Sequence, residues 1–195
     1  MHSILESMPP TDLPETAPGF EQSRLMGSWY VLASNSGLWR QRTHPHIEYS
    51  PLPPDADGRP RFLDSLRFRQ NDLLGRAQRR MIVGIDVAER EGQFVWRGKG
   101  ALWVCKSRWC VPLVDSNYRW VVTYIARSNL GVASGVDICT RDPTVSQSTF
   151  DQILAAIGAH PFLSAPEKPG RPRRCDDLVA TVQDWAPPIP YRLDV

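Results

Sequence analysis

Apolar and polar positions alternate along most of this chain, in short runs broken by turn-forming residues, and a side-chain pattern that repeats every second position marks a half-buried strand. The runs read GSWYVLAS from Gly27, HIEYSPL from His46, RFLDSLRFRQ from Arg61, RRMIVGIDV from Arg79, QFVWRGKG from Gln93, RWCVPLVD from Arg108, NYRWVVTYIA from Asn117 and VASGVDICT from Val132. In the first run Gly27 leaves the backbone free to turn at the strand entrance, after which Trp29, Val31 and Ala33 share one face. PPDADGRP reads as a hairpin loop, and VDSN and RSNLG as further turns. Strands spaced in this way predict an all-β sandwich or barrel.

The period then changes. In TVSQSTFDQILAAIGAH, Phe150, Ile153, Leu154 and Ile157 recur at helical spacing, Ser146 or Ser148 can cap the start, and His160 with Pro161 marks the end. One amphipathic helix therefore follows about eight strands, and is expected to lie against the outside of the sheet. Three regions result: a Pro-rich leader over 1–23, a barrel plus helix over 24–163, and a Pro/Arg-rich extension over 164–195, in which CDDLVATVQDW could form one more short helix.

Composition narrows the function without naming it. A chain of 195 residues, 42% hydrophobic and 23% charged, can bury one sizeable core, and a net charge of +2 with no Lys/Arg block beside an aromatic platform argues against a nucleic-acid partner. The run GRAQRR reads as a solvated strand edge. The N-terminus lacks a basic segment followed by an apolar one, and no apolar run is long enough for a transmembrane segment, so a soluble, cytoplasmic protein is expected. Cys105, Cys110, Cys139 and Cys175 lack paired CxxC spacing and are expected to be free thiols.

Three features in order make the chain resemble the lipocalins, in particular those of bacterial type. GSW at 27–29 resembles the Gly-x-Trp motif that opens the first strand. VDSNYRWVVTYI is similar to the turn into the seventh strand, with SNY in place of the usual Thr-Asp-Tyr, and VDICTRDP resembles the eighth-strand end with its Arg, followed by a helix. The resemblance implies an eight-stranded antiparallel up-and-down barrel with one helix packed outside, and a structural floor of Gly27, Trp29 and Arg141, the Arg stacked over the Trp. The family's register turns Ala133, Gly135, Asp137 and Cys139 inward with Arg141, and Val121, Thr123 and Ile125 inward on the seventh strand. Val31, Ala33, Phe94 and Trp96 complete the expected pocket wall, with Arg97 and Lys99 on the outer face. The family also often ties its C-terminal tail to the barrel, and Cys175 sits where such a tie could start.

This arrangement implies binding, for storage, transport or sequestration, of a small hydrophobic or amphipathic molecule, such as a lipid, in the barrel cavity. Asp137 is the residue expected to report ligand class, because a buried acid must be protonated, paired with Arg97 or Lys99, hydrogen-bonded to Thr123, wetted, or matched by a ligand. Trp39, His44 and His46 fall at the loop expected over the mouth. His44 and His46 beside Glu48 lack a third spaced ligand and an intervening proline separates them, so neither a metal nor another cofactor is expected. The alternative is a pocket enzyme, an isomerase or cyclase of a hydrophobic metabolite, with Cys139 as its inward thiol, although no GxSxG, HExxH or glycine-rich phosphate loop is present. A third reading makes the strand edges and outer aromatics an assembly surface, and the oligomeric state is left open.

Overall fold

The computed structural model describes residues 13–183. A single turn of helix, α1 (Gln22–Leu25), leads into eight antiparallel strands: β1 (Gly27–Ser34), β2 (Thr43–Leu52), β3 (Arg61–Asn71), β4 (Ala77–Arg90), β5 (Gln93–Gly98), β6 (Lys106–Val114), β7 (Trp120–Ile125) and β8 (Gly135–Thr140). Each strand pairs with the next, and β1 pairs with both β2 and β8, so the sheet closes on itself. Helix α2 (Gln147–Ala159) follows, and a short β9 (Val179–Ala180) ends the described chain. Ser146 caps α2 by accepting from the Thr149 amide. No helix among the described residues is long and apolar enough to cross a membrane.

Alternation sorts the apolar residues into two cores. Inside the barrel, Trp29, Val31, Phe62, Phe94, Trp109 and Val121 form a largely aromatic cluster. Outside it, Val122, Tyr124, Val136 and Ile138 of β7 and β8 meet Phe150, Ile153 and Ile157 of α2. Both faces of β7 and β8 are apolar because one looks into the barrel and the other lies under a helix.

One end is sealed. The Arg141 guanidinium stacks 3.6 Å from the Trp29 ring centroid and donates to the carbonyls of Ser28 at 2.9 Å, Arg24 at 2.6 Å and Met26 at 3.0 Å. Trp29 Nε1 donates to the Leu25 carbonyl at 2.7 Å. Gly27 has φ +94°, a conformation that favours glycine, and a Cβ there would sit 3.3 Å from Arg141 Nη1, which would have to give by a few tenths of an ångström. The leader joins this floor: Phe20 packs on Phe94 and Tyr118, and the Tyr118 hydroxyl accepts from the Glu21 amide. Tyr118, the tyrosine kept in the SNY variant of the turn, holds a left-handed conformation stabilised from Asp115, whose carboxylate accepts from the Asn117 and Arg119 amides.

Two expectations are corrected. The tail segment CDDLVATVQDW contains no helix within the described residues; residues 175–177 turn and β9 adds to the end of β1, while Trp185 lies outside them. β1 pairs with β2 only over Gly27–Tyr30, and the tail fills the gap above: Thr181 N donates to Leu32 O, His44 N to Val182 O, and Gln183 Nε2 to both Val31 O and Pro45 O. The second correction is Ala33. The β1–β8 register slips between Val31 and Ala33, and this bulge turns Ala33 outward to the helix side. All four cysteines are unpaired, and Cys175 is buried beneath the helix rather than tying the tail through a disulfide.

Truncating the floor is expected to be costly. Trp29→Ala should destabilise the barrel by about 3–5 kcal/mol, in the range for large buried aromatics. Urea unfolding followed by circular dichroism measures it, and a change within error of zero would mean the Trp29–Arg141 stack does not hold the closed end.

Candidate functional site

The opposite end is open above a cavity of about 260 Å³. Trp39 reaches it from the β1–β2 loop, Tyr49 from β2, Leu66 from β3, Ile82 from β4, Trp96 from β5 and Trp109 from β6. Of the residues expected to line the pocket, Trp96, Thr123, Ile125, Ala133 and Asp137 do so, with Trp39 at the mouth. Val31, Phe94, Val121 and Cys139 also face inward, in the apolar layer nearer the floor. Gly135 is buried under Ser36 without lining the cavity. Ala33 is outside, as described.

His44 and His46 are not loop residues at the cavity. Both lie on β2, where His44 is buried with Nδ1 2.9 Å from Thr43 Oγ1, and the His46 ring packs 5.1 Å from the Tyr30 ring. Burial first, and then the Arg67 charge, lowers the His46 pKa. Among the described residues no three His, Cys, Asp or Glu side chains converge as metal ligands would.

The bulge in β1 has a chemical consequence. With Leu32 absorbed, Ser34 points inward and its hydroxyl donates to Asp137 Oδ1, while Trp39 Nε1 donates to Oδ2 at 3.1 Å. Asp137 therefore takes its partners from a serine and a tryptophan, not from Thr123 or from Arg97 and Lys99. Burial raises its pKa to about 6 against the pull of these two donors.

Two further acids, absent from the sequence-derived pocket, share the interior. Asp64 lines the cavity from β3, and Asp86 on β4 accepts from Trp109 Nε1 at 2.6 Å. Burial raises Asp86 to about 8, opposed by the Trp109 hydrogen bond. Burial, and then the Asp86 charge, lift Asp64 well above the carboxylate range, with the Trp96 indole pulling weakly the other way. Asp64 Oδ1, Asp86 Oδ2 and Trp96 Nε1 are all buried without completing a hydrogen bond. Gly84 makes this arrangement possible, since a Cβ there would lie 2.2 Å from Trp96 Nε1. The alternation Phe62, Asp64, Leu66, Phe68 carried the signal, because an acid among inward apolar positions is legible once the face is known.

Cys139 is buried on the inner face of β8. Burial, then Asp137 and Asp64, hold its thiol well above the ordinary value, so the reactive thiolate is disfavoured.

The arrangement is a closed antiparallel barrel, sealed at one end by an Arg–Trp stack and hollow at the other. Solved structures place it more closely. The chain is similar to the cockroach allergen Per a 4, with TM-score 0.59 at 11% identity over 88% of this chain and 94% of that one. Insecticyanin from the tobacco hornworm Manduca sexta gives 0.56 at 12% over 89% and 87%, and lobster apocrustacyanin A1 gives 0.52 at 15% over 84% and 79%. These are lipocalins, and the fold of this chain is the lipocalin fold. No family model matches the sequence, and no curated protein sequence does.

The interior acids set a pH dependence. An aspartate with a raised folded pKa holds a proton that the unfolded chain has released, so stability falls as pH rises from about 4 toward the folded value. His46 and His160, both lowered by burial from 6.5, act in the opposite sense below that value. Between about pH 6.5 and 8 the fall is therefore governed by Asp86 and Asp64, by up to about 1.4 kcal/mol per pH unit for each retained proton. Urea titrations across this window should show that decline, and Asp86→Asn should flatten it. A wild-type curve that rises from pH 6.5 to 8 would contradict the assignment.

Proposed function

We propose that this protein binds a small hydrophobic or amphipathic molecule in the barrel cavity, for storage, transport or sequestration. The observation that carries the reading is the cavity itself: a barrel of this size can fill its interior with side chains, and here the upper half stays hollow between aromatic walls. Its lipocalin fold supports the same class of function. The volume, about 260 Å³, falls just below the range of roughly 300–1,000 Å³ usual for small-molecule pockets, which favours a compact ligand over a long acyl chain. A ligand that hides on the order of 300 Å² of apolar surface gains about 7.5 kcal/mol at ~25 cal/mol per Å². Ordering costs reduce that gain, so affinity from apolar contact alone stays no tighter than about micromolar.

A second reading, a pocket isomerase or cyclase, draws on one observation. Asp137 borders the cavity with its pKa raised to about 6, a value suited to proton transfer near neutrality. Recovery of a bound compound unchanged after prolonged incubation favours the binder, and conversion abolished by Asp137→Asn favours the enzyme.

The neutral fluorescent probe N-phenyl-1-naphthylamine tests the binding reading. Its emission should rise on addition of protein with one saturable site per chain. Ala133 lines the cavity from the exposed β7–β8 loop, so Ala133→Trp should obstruct the mouth, leave thermal stability unchanged and weaken probe binding at least ten-fold. Equal affinity in a folded Ala133→Trp variant would move the site elsewhere.

A further inference from the structure

The cavity is built with acids and, among the described residues, without a basic side chain in its lining. Asp64 and Asp137 line it, and Asp86 stands behind Trp109, yet no Lys, Arg or His contributes to the lining. Arg97 and Lys99 belong to the outer face of β5 and its exit. Arg42, half-buried in the β1–β2 loop, stacks 4.2 Å from the Phe68 ring centroid rather than on a carboxylate. Among the described residues, the other titratable groups at the acids are Tyr49, Cys139 and Cys105, which carry no positive charge in any state, while the buried Lys106 lies opposite Arg97. Buried acids in proteins are ordinarily paired, because a lone one must stay protonated or suffer a large desolvation penalty.

The acids also present unused bonding capacity to the hollow. Asp64 is only 5% exposed, borders the cavity, and leaves Oδ1 without a hydrogen-bond partner. Trp96, 9% exposed and also in the wall, leaves Nε1 unfilled beside it. Among the described residues the carboxylates do not converge as ligands on one metal ion. The rings of Trp39, Tyr49 and Trp109 line the hollow, and aromatic rings attract a cation electrostatically.

We infer that the cavity selects a compact aromatic or alicyclic amine, whose ammonium group binds between Asp64 and Asp137 while its ring fills the aromatic hollow. The inference rests on the cavity being the binding site, and adds the chemical class of what it takes. Asp137, already held by Ser34 and Trp39, is pre-oriented for the ammonium; Asp64 supplies the empty acceptor. Bringing in one positive charge favours ionisation of one acid, so binding at neutral pH should expel a proton from the protein. An alcohol of the same shape gains no such charge pairing, and a carboxylate ligand meets repulsion.

Isothermal titration calorimetry at pH 6.5 with 2-phenylethylamine, 2-phenylethanol and phenylacetate tests this. The amine should bind at least ten-fold more tightly than the alcohol, and phenylacetate more weakly than either. The amine's apparent enthalpy should change between buffers of different ionisation enthalpy in the direction of proton release, a readout that needs no variant. Asp64→Asn and Asp137→Asn should each weaken the amine five-fold or more and the alcohol less than two-fold, whereas Arg42→Gln should leave the amine preference in place. Equal affinities for amine and alcohol, or tightest binding of phenylacetate, would overturn the amine assignment; if N-phenyl-1-naphthylamine still binds, the cavity binder survives that result. Failure of all four compounds to bind would overturn both.

Discussion

The stack of Arg141 on Trp29 is the interaction on which the rest of this molecule depends. An up-and-down barrel is open at both ends unless something seals one, and here a single guanidinium does so by covering an indole face and tying three carbonyls of the entering chain. The carbonyls of Arg24, Met26 and Ser28 belong to α1 and the start of β1, so the seal joins the last strand of the barrel to its first. Phe20 and Tyr118 extend the plug from the leader and the β6–β7 turn. Above that end Phe62, Phe94 and Trp109 pack ring against ring.

Burial is what makes the acids consequential. Asp64, Asp86 and Asp137 would titrate as ordinary carboxylates in water; inside, burial is the first cause of each upward shift. Their partners are neutral donors, Ser34, Trp39 and Trp109, which orient a carboxyl group without neutralising it. The cup is thus apolar in its walls with ionisable groups at a few points. The buried Cys139 thiol is pushed in the same direction.

Much of this was legible in the sequence, and the gaps have physical causes. GSW, the Arg after the eighth strand and the period change at α2 are local patterns, and each stands where it was expected. The parity of β7 and β8 also follows, since Thr123, Ile125 and Asp137 reach the cavity while Val122, Val136 and Ile138 meet the helix. Ala33 failed because strict alternation ignores a bulge whose hydrogen bonds lead to Thr181 and the far end of the chain. The same slip brought Ser34 to Asp137, a pairing 103 residues apart that no local pattern encodes. His44 and His46 were placed by proximity to a loop, whereas β2 runs further toward the mouth than its apolar run implied. Asp64 and Asp86 lay in recognised strands, but only the register reveals that their faces turn inward.

The account rests on the upper half of the barrel being the ligand site, and the tryptophans are placed to test it. Trp39, Trp96 and Trp109 line the cavity, Trp29 lies in the floor, and Trp120 packs on the helix side. Titrating 15N-labelled protein with N-phenyl-1-naphthylamine while following the indole N–H resonances reads all of these positions at once. The cup predicts saturable shifts at Trp39, Trp96 and Trp109 with Trp29 and Trp120 unmoved; shifts at Trp120 while the three cavity indoles stay in place would contradict it.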